Sequence, residues 1–113
     1  MLGGGGLCRA ISEVGNAFAQ VYRSILASPS GVFMFLIALP NRSGTLARLT
    51  SRLAELNLNL VTTYAYSVSE DSAMALLVYE AKDGLFEKAI EELRKGGAVV
   101  REAYEIKVTK AVT

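Results

Sequence analysis

The residues best suited to chemistry lie in one short stretch, Asn41-Arg42-Ser43-Gly44-Thr45-Leu46, with a further pair at Asn59-Leu60. Gly44 carries no side chain, so a ligand can approach its backbone closely. Leu46, Leu49, Leu53 and Leu56 follow with helical spacing, which puts the start of a helix beside Gly44. The free N–H groups and positive dipole end of such a helix attract a carboxylate. A carboxamide such as Asn41 or Asn59 both donates and accepts hydrogen bonds, so either can meet a polar group of a ligand. Each residue also has a plainer role. Gly44 could serve only the turn, Asn41 could order it by an Asx-type bond, and Asn59 could brace a loop. Ser43 and Thr45 are candidate helix caps, and Arg42 stays in solvent or pairs with a carboxylate.

Other chemistry is poorly supplied. The 113 residues include no histidine and one cysteine, Cys8. This excludes histidine-dependent triads and zinc sites that need histidine. Cys8, Asp71, Asp83 and the tyrosines form no catalytic set by spacing, and Glu91-Glu92 reads as a wet helix face rather than a metal site. We expect no enzyme activity, no cofactor and no metal. The net charge of +1 is far below the basic footprint of a nucleic-acid binder. No apolar run reaches the roughly 18 residues of a membrane span. The lone cysteine and the lack of a signal-peptide pattern lead us to expect a cytoplasmic protein without nucleic-acid or membrane partners.

The elements that must position these residues follow from the hydrophobic pattern. With 51% hydrophobic residues the chain has ample material for one core. Gly3–Gly6 form a leader. Leu7, Ile11, Val14, Phe18, Val21 and Ile25 make one stripe of an amphipathic helix, ended by Ser28-Pro29-Ser30-Gly31. That helix packs either on its own domain or on a partner subunit. Val32–Leu39 is a continuous apolar run, the mark of a strand buried on both faces. The Leu46–Leu56 helix comes next, and Asn57 is placed to close it. Leu60–Val68 and Ala73–Glu80 read as a hairpin around a polar turn. Asp83 is a candidate cap for a helix facing inward through Leu85, Phe86, Ala89, Ile90 and Leu93. Gly96-Gly97 ends that helix. In the last strand, Ala98–Val108, strict alternation puts Val100, Tyr104, Ile106 and Val108 on one side and Arg101, Glu105 and Lys107 on the other.

The order is helix, then β-α-β-β-α-β. This is the ferredoxin-like pattern of the α/β (α+β) class, a four-stranded antiparallel sheet with two helices on one face. Right-handed crossovers give strand order 4-1-3-2. We divide the chain into a leader and helix at 1–28 and a domain at 32–110.

Residues 32–108 resemble the ACT domain family. The resemblance rests on Leu39-Pro-Asn-Arg-Ser-Gly-Thr-Leu46 and on Asn57-Leu-Asn-Leu60. Asn41, Arg42, Gly44, Leu46, Asn59 and Leu60 match the family pattern in type and spacing. It implies a non-catalytic regulatory domain that binds an amino acid or similar effector between two domains, often in association with an enzyme of amino-acid metabolism. It implies ligand-binding roles for Asn41, Arg42, Ser43, Gly44, Thr45, Leu46, Asn59 and Leu60, and a dimer or tetramer. Some relatives carry a polar residue at the position of Leu39, so an apolar effector is expected here. The alternative is a dimerisation module without a ligand. An acylphosphatase-like enzyme lacks its Arg-bearing phosphate loop in this sequence. An RNA-binding sheet would use Phe33 and Phe35 as stacking platforms, but the third strand lacks the matching signature. The effector domain of leucine-responsive transcription regulators looks similar in pattern, yet residues 7–27 offer one helix and no helix-turn-helix.

Overall fold

The computed structural model describes residues 31–107, together with Ala19. The expected amphipathic helix otherwise lies outside the described residues. Six elements follow in order: β1 (Val32–Pro40), α1 (Thr45–Ala54), β2 (Leu60–Ser67), β3 (Ser72–Glu80), α2 (Phe86–Lys95) and β4 (Val99–Ile106). The strands form one antiparallel sheet in the order β2-β3-β1-β4, as right-handed crossovers require. The fold is ferredoxin-like, of the α+β class.

The apolar run of β1 occupies the centre of the sheet, and alternation divides it between two layers. Phe33, Phe35, Ile37 and Leu39 join Ala75, Leu77 and Tyr79 of β3 in a core closed by Leu49 and Leu53 of α1 and Ala89, Ile90 and Leu93 of α2. Val32 and Met34 face the other way and cluster with Leu76 and Val78. In the helix-side core, the rings of Phe33 and Phe35 lie 5.3 and 5.8 Å from that of Phe86. Both phenylalanines are fully buried beneath helices. They offer no stacking platform for RNA bases.

Helix ends follow local chemistry. Asn57 takes a left-handed conformation (φ 60°), and its N–H and that of Leu58 donate to Ala54 O and Leu53 O. Asparagine tolerates this conformation better than most residues, which is why it can close α1. The expected Asp83 cap is absent: Leu85 occupies the N-cap of α2, with no side-chain cap bond. Neither Ser43 nor Thr45 caps α1, whose N-cap is Gly44. Glu91 does lie on a wet face, 3.2 Å from Lys95. Glu92, about 100° further round the helix, is half-buried, and its Oε2 has no hydrogen-bond partner among the described residues.

The last strand departs from strict alternation. Leu36 pairs with Glu102 but Ile37 pairs with Val100, leaving Arg101 as an extra residue. This β-bulge reverses the facing of everything before it. Val100 therefore joins Ala103 against the helix-side core, while Ile106 packs on the opposite cluster. Tyr104 stands opposite Met34 and is half exposed. Val100 thus parts from Tyr104 and Ile106, because one inserted residue shifts a period-two pattern by half a period.

Candidate functional site

Asn41 leaves β1 where the sheet meets the β2–β3 hairpin. Its backbone N–H donates to Asp71 O at 3.0 Å. Its side-chain Nδ2 donates to Ser67 Oγ at 3.2 Å and to Ser69 O at 2.9 Å. Asn41 therefore braces a distant hairpin rather than its own turn by an Asx bond. With both amide hydrogens committed, Oδ1 is left as an acceptor, suited to an ammonium group rather than a carboxylate.

Gly44 has φ 82° and ψ −8°. A Cβ there would meet nothing within 4 Å, so glycine is required by backbone conformation and not by crowding. α1 starts with no side-chain cap and no acidic residue in its first turn. That leaves its positive end without a neighbouring counter-charge on the helix itself.

Next to this loop is a pocket of about 250 Å³ lined by Leu39, Pro40, Asn41, Arg42, Leu46, Ala65, Tyr66, Ser67 and Ala73. This is smaller than the roughly 300–1,000 Å³ of drug-sized ligand sites, and it suits a small molecule. Its apolar walls are joined by Asn41, Arg42, Tyr66 and Ser67, residues that carry an amide, a guanidinium and two hydroxyls. A larger hollow of about 550 Å³ lies between the helices, among Arg48, Ser51, Arg52, Glu55 and Lys95. It touches none of the loop residues.

The pocket brings together only part of the expected site. Asn41, Arg42 and Leu46 line it. Ser43 and Gly44 are exposed beside it, outside its walls. Thr45 is turned inward: it is 3% exposed, and its Oγ1 has no hydrogen-bond partner among the described residues. Leu39 touches the pocket but belongs chiefly to the core, with 6% exposure.

Asn59 and Leu60 are not in this pocket. β2 runs parallel to β1, because each is antiparallel to the β3 between them. The start of β2 therefore lies at the opposite end of the sheet from Asn41. The seven residue steps from Leu60 to Ser67 cover about 23 Å of strand. Asn59 there holds its carbonyl oxygen 2.9 Å from Glu80 N. The walls supplied by Ala65, Tyr66, Ser67 and Ala73 had no motif to reveal them. Their signal is the hairpin register, which sets Ala73 opposite both Leu39 and Ser67.

Among the described residues, no three His, Cys, Asp or Glu side chains come together as a metal site, and no helix is long and apolar enough to cross a membrane. No family model matches the chain, and no curated protein matches it in sequence. Solved structures do match in fold. A quorum-quenching acylase, GqqA, superposes with a TM-score of 0.54 at 18% identity, over 67% of this chain and 42% of the acylase. An uncharacterised protein from Thermotoga maritima gives 0.54 at 16% identity, over 69% of this chain and 99% of that one. The ACT domain from GTP pyrophosphokinase of Chlorobium tepidum gives 0.50 at 13% identity, over 68% of this chain and 99% of the domain. The chain thus spans less than half of the acylase but nearly all of the two small structures. The described residues have the fold of an ACT-like domain.

Proposed function

We propose that the chain is a non-catalytic regulatory domain that binds an amino acid or similar small effector where two copies meet. The observation that carries this reading is the small pocket at Asn41, with an uncapped helix start beside it. Asn41 Oδ1 would accept from the effector's ammonium, and the N–H groups at the start of α1 and Arg42 would hold its carboxylate. Leu39, Leu46, Ala65 and Ala73 offer an apolar wall for its side chain.

The second copy enters through β2. This strand is one edge of the sheet, and its sequence, Leu-Val-Thr-Thr-Tyr-Ala-Tyr-Ser, has no charge. Its helix-side residues Leu60, Thr63, Ala65 and Ser67 are exposed. The opposite edge, β4, shows Arg101, Glu102 and Glu105 to solvent, charges of the kind that deter edge pairing. A two-fold axis normal to the sheet would set two β2 strands antiparallel. The start of one would then lie beside the end of the other, bringing Asn59 and Leu60 of one copy to the Asn41 pocket of its mate. The residues that one chain holds about 23 Å apart become neighbours in the pair. One structural neighbour is a domain of an enzyme, which supports association with a metabolic enzyme as the regulated partner.

Thermal-shift screening of the twenty amino acids tests the reading. A ligand at 100 times its Kd stabilises the native state by about 2.7 kcal/mol, so binders stand out, and apolar amino acids should lead. If none shifts the transition while the protein is dimeric, the chain is a dimerisation module.

A further inference from the structure

Helices α1 and α2 pack on one face of the sheet, yet the opposite face is not open. Val32 and Val78 have no exposed surface and Met34 is 5% exposed, although every described member of their cluster is a strand residue. Neighbours within one layer narrow access to a side chain but do not abolish it; complete burial needs a second layer. Burial is deepest where the chain enters β1, at Val32 and Met34, and falls off toward Leu36 and Ala38.

We propose that residues 7–27 of the same chain form that second layer, an amphipathic helix laid across the helix-free face. The stripe Leu7, Ile11, Val14, Phe18, Val21 and Ile25 is the apolar surface that would meet Val32, Met34, Leu76 and Val78. Arg9, Glu13, Asn16, Gln20 and Arg23 fall on the far side of the helical wheel, toward solvent. Twenty-one helical residues span about 31 Å, and the nine residues of β1 span about 30 Å, so one pass covers the sheet. The connection is short and anchored. Ser28-Pro29-Ser30 leads to Gly31, whose carbonyl accepts from Ala81 N at 3.0 Å. Gly31 also lies so close to Ile106 O that no Cβ would fit. A helix tethered there reaches first the cluster that is most deeply buried. Ala19 is helical and exposed, and it stands about 120° from the centre of the stripe on a helix of 3.6 residues per turn.

Methionine oxidation in the full chain reads this cover directly, because sulfoxide formation follows exposure. With dilute hydrogen peroxide and peptide mass spectrometry, Met34 should oxidise more slowly than the half-buried Met74. Phe18→Asp should speed Met34 oxidation by about tenfold or more, and Ala19→Asp should leave it unchanged. Unaltered protection of Met34 in a folded Phe18→Asp protein overturns the proposal. A second measurement avoids dependence on that variant: Val21→Cys with Met34→Cys in a Cys8→Ser background. A disulfide within one chain, independent of concentration, is expected. Disulfides formed only between chains would assign the cover to a second copy, and their complete absence would remove residues 7–27 from this face; either overturns the proposal.

Discussion

If the effector site is shared, two damaged proteins should repair each other. Asn41→Ala and Asn59→Ala each break both sites of a homodimer. Losing one hydrogen bond to a charged group costs about 1.5–3 kcal/mol, or roughly 10- to 150-fold in Kd. Asn59→Ala should cost the fold little, because Asn59 is exposed. Asn41→Ala also removes two hydrogen bonds to the hairpin and should cost about 1–2 kcal/mol of stability, so both variants are checked for folding and dimerisation first. In a mixed dimer, one site receives Asn41 from the Asn59→Ala copy and Asn59 from the Asn41→Ala copy, and is intact. The other site lacks both. Random re-pairing of an equal mixture makes about half the dimers mixed, so about a quarter of the original tight sites return. Isothermal titration of the mixture, after mild unfolding and refolding together, measures that fraction as stoichiometry, with the tight Kd restored. The geometry behind the expectation is the span of about 23 Å along β2, which no single small ligand bridges. Two folded, dimeric variants whose mixture recovers no tight site would refute the shared-site reasoning. So would tight binding that survives in either variant alone.

Other outcomes follow from the core. Tyr79 is 1% exposed and its hydroxyl has no hydrogen-bond partner among the described residues. Tyr79→Phe keeps the ring that packs 6.4 Å from Phe35 and removes an unsatisfied group, so it should stabilise by about 1 kcal/mol in denaturant titration. Burial also raises the Tyr79 pKa from 10.0 to about 12. The folded state favours the protonated phenol, so this stability is complete below pH 10 and is lost as pH rises toward 12. The loss amounts to roughly 2–3 kcal/mol, and Tyr79→Phe should flatten that alkaline decline; an unchanged decline would show that other groups cause it. Gly31→Ala should destabilise strongly, by about 2 kcal/mol or more in the same titration. Its φ of 98° is unfavourable for alanine, and the new Cβ would strike the backbone at Ile106 rather than a side chain that could move.

The fold was legible in the sequence because each element carries its own local signal. Val32–Leu39 announced a central strand by being apolar throughout, and Leu46, Leu49 and Leu53 announced a helix by spacing. Gly44 and Asn57 marked backbone positions that demand positive φ. The loop residues Asn41, Arg42 and Leu46 stand out through the family resemblance, whose motif is contiguous in sequence. What tertiary structure decided depends on contacts between distant segments. The bulge at Arg101 arises from how β4 registers against β1, and it moved Val100 to the face opposite Tyr104. Thr45 was a fair ligand candidate by type, but docking of α1 on the sheet turned it into the core. Ser67 and Ala73 became pocket walls only because the hairpin folds back to the end of β1. Asn59 shows the same limit most clearly. Its type and position suit a ligand, yet strand direction carries it to the far end of the sheet. A residue's chemistry is written locally, while its neighbours are set by pairing over long range.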